Sequence, residues 1–148
     1  MKTPSLKTAR NVAMDYLARR EHSRLELENK LNAKEFEKEE IAFALDRLQS
    51  ENLQSDSRFA QSYIRYRAIK GFGPVKIKHE LNAKGVSAEV IQQAEINAGF
   101  DWMEQLVSLN CRKFSQSPPQ NLKDKQKRVR FLQQRGFSTS DIMRLFVN

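Results

Sequence analysis

Apolar residues recur along the chain at intervals of three and four rather than two, the spacing that turns one side of an α-helix toward a core. Val12, Tyr16 and Leu17, then Leu27 and Leu31, then Ile41, Leu45 and Leu48 form three successive stripes. A second set follows in Phe59, Tyr63 and Ile64, in Ile77 and Leu81, and in Val90, Ile91 and Ala94. The third runs through Met103, Leu106, Val107 and Phe114, then Val129 and Leu132, then Ile142, Leu145 and Phe146. Only 5 glycines and 4 prolines interrupt these stripes, and no stretch alternates as a half-buried strand would, so the chain reads as all-α.

The sets are copies of one template. Leu31, Asn32, Ala33 and Lys34 return as Leu81, Asn82, Ala83 and Lys84. Leu31 to Ile41, Leu81 to Ile91 and Leu132 to Ile142 span the same interval, with Lys34, Lys84 and Arg135 at one offset and Phe36, Val86 and Phe137 at another. A period of about fifty residues with three helices per unit is the mark of a small helical array. The units are expected at residues 1–55, 56–100 and 101–148.

Helix ends follow from local chemistry. Ser23 and Glu26 form a capping box, and Gly73 followed by Pro74 places proline at the first helical position of the matching helix. Gly85 and Gly136 fall where a left-handed residue closes a helix, and Ser87 and Ser138 then cap the third helix of their units. Glu35 takes the glycine's place in the first unit, which must tolerate strain there or end its helix differently. Ser115 to Gln120 reads as a loop insertion.

Composition narrows the function. With 39% hydrophobic and 30% charged residues the chain should fold around a modest core. The net charge is +8, and its distribution is uneven: residues 1–55 hold 10 basic and 10 acidic side chains, residues 56–148 hold 16 and 8. Such an excess favours partners that carry phosphates or carboxylates. One cysteine, Cys111, excludes an internal disulfide, and with only His22 and His79 beside it there is no zinc set, so no metal or cofactor is expected and a cytoplasmic setting fits best. The longest apolar run, Ile41 to Leu45, is too short for a membrane span, and Met1 to Ser5 leads into no signal-peptide segment.

The residues of the middle unit resemble a known family. Ser55, Asp56, Ser57, Arg58, Phe59 and Ala60, then Tyr63, Ile64 and Arg67, then Gly71, Gly73 and Pro74, then Ile77, Glu80, Leu81, Lys84 and Gly85 are similar to the signature of the RecX family, small regulators of the RecA recombinase in bacteria. Ala18 to Ser23 with Leu27, and Arg130, Phe131, Leu132, Arg135, Gly136, Phe137 and Ser138, resemble that family's first and last repeats. The resemblance covers essentially the whole chain. It implies tandem three-helix repeats in an elongated, curved body that lies in the groove of the RecA filament on DNA. It further implies a binding protein rather than an enzyme, one that limits filament growth and lowers RecA's strand-exchange, ATPase and coprotease activities in DNA repair, recombination and the SOS response. Some affinity for single- or double-stranded DNA goes with it, and a monomer is expected.

Two basic groups are candidates for the partner surface. Arg58, Arg65, Arg67, Lys70, Lys76 and Lys78 gather around the Gly71–Pro74 turn, and Arg58 and Arg65, seven apart, share a helix face. Lys123, Lys125, Lys127, Arg128 and Arg130 are opposed only by Asp124, with Arg112 and Arg144 as extensions. The plain alternative for both is a solvated face that keeps a repeat protein soluble. Tyr63, Tyr66 and Phe72 interleave with the arginines; the spacing of Tyr63 argues for core, Phe72 reads as a staple of the turn, and Tyr66 stays open as a base-stacking ring. Gly71 to Pro74 lacks the spacing of a phosphate loop, His22 beside Ser23 lacks the rest of a catalytic set, and the acidic start at Glu35 to Glu40 suits a helix N-terminus without any metal. A helical module that acts directly on duplex DNA is the alternative function; it lacks an obvious recognition helix.

Overall fold

A computed structural model describes residues 7–147; Met1 to Ser5 lie outside the described residues. Among those residues the regular structure is helical throughout: α1 (Ala9–Arg19), α2 (Arg24–Ala33), α3 (Lys38–Ser50), α4 (Asp56–Ile69), α5 (Pro74–Ala83), α6 (Ala88–Ala98), α7 (Trp102–Phe114), α8 (Leu122–Gln134) and α9 (Thr139–Leu145). Three consecutive helices make each unit, and each unit closes on its own core.

The stripes read from the sequence become these cores. Leu27, Leu31, Leu45 and Leu48 of the first are completely buried, each contributing about 1.5–3 kcal/mol by leaving water. Ile64, Ile77, Leu81 and Ile91 do the same in the second, and Leu106, Leu132 and Ile142 in the third. One position departs: Val107 is 41% exposed, and Leu109, two residues on, takes the inward place. Trp102, in the first turn of α7, packs against both the second and third cores.

The caps fall where side chains can supply them. Ser23 accepts from the Glu26 amide while the Glu26 carboxylate accepts from the Ser23 amide, and Ser87 and Ser138 accept from Val90 and Asp141. Glu35 does tolerate the left-handed backbone, with φ 67°, and Gly85 and Gly136 share it at φ 82° and 97°.

Those glycines do more than turn the chain. Gly85, at the end of α5, lies on the start of α2, so close that a Cβ there would meet Leu25 Cβ at 2.7 Å. Gly136, at the end of α8, lies on the start of α5, where a Cβ would come 2.8 Å from the Lys76 amide nitrogen. The second helix of one unit thus rests its end on the beginning of the second helix before it. At the latter seam the Gly73 amide donates to the Arg135 carbonyl (2.7 Å) and the Val75 amide to the Gly136 carbonyl (2.9 Å). Glu35 occupies the corresponding place in the first unit, is exposed, and docks on nothing, which is why a side chain survives there. Among pairs of described residues, no hydrogen bond or ion pair joins the first unit to the third.

Candidate partner-binding surface

The middle unit's basic residues divide into those tied down and those free. Arg58 donates to Glu21 (2.8 Å) and Asn52 (2.9 Å), so it clasps the first unit to the second. Arg67 meets the Glu80 carboxylate with both faces of its fork, at 2.9 and 2.7 Å, while its guanidinium carbon lies 3.8 Å from the centre of the Phe72 ring. Arg65, Lys70 and Lys78 are exposed and enter no ion pair among the described residues. Lys76 is half-buried, its ammonium 5.6 Å from the Phe72 ring.

The second basic group is also mixed. Lys123, Lys127 and Arg130 are exposed and lie four and three residues apart, hence on one side of α8. Lys125 is half-buried. Arg128 turns inward: its side chain is only 7% exposed, donating to the Ser117 carbonyl (2.7 Å) and to Asp124 (3.2 Å). Its guanidinium is spent on the loop carbonyl and on Asp124, so the residue offers a partner almost no surface.

The aromatic residues sort by environment. Tyr63 packs on the second core and donates its hydroxyl to Glu80 at 2.8 Å. Burial, and then the Glu80 carboxylate, push its pKa up to about 12. Partial burial works to raise the pKa of Glu80, but the Arg67 and Tyr63 hydrogen bonds outweigh it and hold the carboxyl below its usual range. Phe72 packs on the same core beneath three cations, as a staple would. Tyr66 is 54% exposed.

His22 is a satisfied core histidine: Nδ1 lies 3.1 Å from the Arg20 carbonyl, Nε2 lies 3.1 Å from Lys30 Nζ, and burial pushes its pKa down. Ser23 is wholly buried and occupied as a cap, so the pair holds no free nucleophile. Cys111 is half-buried rather than enclosed. Among the described residues no three His, Cys, Asp or Glu side chains come together as a metal site, and no helix is long and apolar enough to cross a membrane.

Three partners were missed in the sequence: Glu80, Glu21 and Arg135. Arg135 served there as a template mark and as part of the last repeat's motif, yet its guanidinium donates to the Lys70 carbonyl (3.2 Å) and stacks near the rings of Phe72 (4.9 Å) and Phe131 (5.1 Å). The available signal was its offset, which matches Lys84, a residue that makes its own contact across the other seam.

Comparison with known proteins places this surface in context. Residues 9–48, 55–94 and 101–146 match the models of the first, second and third three-helix domains of RecX. The chain is 45% identical to the Regulatory protein RecX of Pseudomonas savastanoi pv. phaseolicola, over 92% of this chain and 88% of that one. Identity to the Regulatory protein RecX of Pseudomonas fluorescens strain SBW25 is 44%, over 95% and 91%. A crystal structure of RecX from Lactobacillus salivarius superposes with TM-score 0.77 at 26% identity, covering 93% of this chain and 91% of that chain. With three tandem domain matches in order and relatives aligned over nearly their full length, the chain belongs to the RecX family.

Proposed function

We propose that this protein binds RecA filaments on DNA and restrains them, lowering RecA's recombinase, ATPase and coprotease activities without chemistry of its own. The observation that carries the reading is the placement of free cations, Arg65, Lys70 and Lys78 on the middle unit and Lys123, Lys127 and Arg130 on the last, in a family whose members are named regulatory proteins. An array that spreads contacts over several units suits a polymeric partner, since each contact need only be weak when others hold the chain nearby. A monomer in the cytoplasm, acting in DNA repair and recombination, goes with this reading.

The test follows RecA's DNA-dependent ATP hydrolysis on preformed filaments while the protein is added at far less than one copy per RecA. A sharp fall, lost in an Arg65→Glu, Lys70→Glu, Lys78→Glu variant that keeps its helical content, is the expected result. No change at equimolar protein, together with sequence-dependent binding to duplex DNA alone, would overturn it in favour of a DNA-binding module.

A further inference from the structure

The first and third units are joined to the middle one by different kinds of contact. Between the second and third, two main-chain hydrogen bonds cross, from Gly73 to Arg135 and from Val75 to Gly136, and Trp102 packs on both cores. Between the first and second, no main-chain pair crosses among the described residues, and no side chain belongs to both cores. The bonds there run through side chains. Arg58 holds Glu21 at 2.8 Å and Lys84 holds Glu26 at 3.3 Å, while Asp56 accepts from the Arg24 amide at 2.9 Å and Gln54 donates to the His22 carbonyl at 3.2 Å.

A single exchange in the repeat template accounts for much of this. Gly71 stands where the first unit has Glu21. The bare glycine lets α7 close in, with Leu109 Cδ1 3.3 Å from where a Cβ would stand. Glu21 instead reaches out to Arg58, and a cleft of about 510 Å³ is left between the units, with Arg20, Glu21 and Glu26 on one side and Phe59, Tyr63 and Tyr66 on the other. Protein interiors are close-packed, so open volume at a seam is room for the seam to move. The four side-chain bonds also divide by place. Gln54, which is buried, and Asp56 lie in and beside the Glu51–Ser55 connection from α3 to α4, where Asn52 holds φ 62°. The two ion pairs use Arg58 in the first turn of α4 and Lys84 at the end of α5, and both are partly exposed.

We propose that the first seam is a hinge: the second and third units form one rigid body, and the first unit swings on the Glu51–Ser55 connection as the Arg58–Glu21 and Lys84–Glu26 pairs break or form. Hinges are a few residues at element ends that absorb the backbone change, as this connection does, and the Gln54 and Asp56 bonds keep the pivot together while the cleft opens or closes. Salt is the release. Partly exposed ion pairs are screened as the Debye length falls from about 10 Å at 0.1 M to about 3 Å at 1 M, whereas the main-chain bonds and shared core of the second seam are not. The curvature of the array is then set at one joint, a property of the isolated chain that does not rest on the filament reading.

The test measures distances between pairs of nitroxide labels by pulsed electron spin resonance, in a Cys111→Ser background. Glu39→Cys with Gln92→Cys spans the first seam, and Gln92→Cys with Ser140→Cys spans the second; all three sites are exposed. The first distribution should widen about twofold between about 0.1 M and about 1 M NaCl, while the second keeps its mean and width. Arg58→Ala combined with Lys84→Ala should give the wide first distribution already at low salt, with helical circular dichroism and the second distance as in the parent. A first distribution that stays as narrow as the second in high salt, or equal widening of both, overturns the proposal. So does a double variant that keeps the parent's narrow first distribution. The salt series needs no seam variant, and because RecA is absent, none of these failures bears on filament regulation.

Discussion

Alanine at each glycine separates the two demands made on these positions. Gly99 has φ 67° with nothing within 4 Å of where a Cβ would stand, so Gly99→Ala carries backbone strain alone. That strain is about 1–2 kcal/mol, offset by about 0.4–1 kcal/mol because alanine also restricts the unfolded chain. A net loss between zero and about 1.6 kcal/mol is expected. Gly73 is the complementary case: its φ of −99° suits any residue, but a Cβ would stand 2.7 Å from the backbone carbonyl of Gly136. Gly73→Ala therefore charges the seam alone, at about 1–3 kcal/mol for forced overpacking. Gly85→Ala meets both, φ 82° and Leu25 Cβ at 2.7 Å, and a Cβ bonded to its own backbone cannot swing away as a side-chain tip would. Its loss should be about 2–4 kcal/mol, a fall in melting temperature of about 4–16 °C at 2–4 °C per kcal/mol. Urea unfolding followed by helical circular dichroism, with equal slopes required across the set, ranks the three variants. If Gly85→Ala and Gly99→Ala lose the same stability, or if Gly73→Ala loses none, the docking argument is wrong.

Other expectations follow from the same structure. Glu35→Gly relieves φ 67° at a place where nothing docks, and should raise stability by up to about 1 kcal/mol in the same urea titration. Ile64→Ala empties a fully buried position in the middle core and should lose about 2–5 kcal/mol by calorimetry. The Glu80 carboxyl has its pKa below that of the unfolded chain, so its contribution is present above the ordinary glutamate range and disappears as pH falls through and below it. Thermal midpoints should therefore drop more steeply on acidification in the parent than in Glu80→Gln; parallel curves would remove the Arg67–Glu80–Tyr63 network from the stability of the middle unit. Arg128→Gln strips a donor from the Ser117 carbonyl, and proteolysis within Ser115 to Gln120 should accelerate.

The helices and their grouping were legible because helical periodicity and cap residues are local signals repeated three times. Val107 was misplaced because the valine and the leucine two positions on, Leu109, both fit a loose stripe, and only packing against α8 and α9 chooses between them. The basic candidates were found as residue types, yet a sequence does not say which cations are consumed internally. Arg58 and Arg67 meet Glu21 and Glu80, which are 37 and 13 residues away, and Arg128 bonds a loop carbonyl that no pattern marks. Gly73 and Gly136 were read as turn formers, whereas their contact across the seam depends on how two units stack.

Glu35 also gives the array a direction. Extension by a further unit beyond the third would meet the beginning of α8, where Leu122 is 69% exposed. Extension on the other side would require the first unit's second helix to rest its end on a newcomer, and the side chain of Glu35 stands where that contact must close. A designer lengthening this scaffold would therefore duplicate the last unit without change, but would first have to make the Glu35→Gly replacement before building outward from the first.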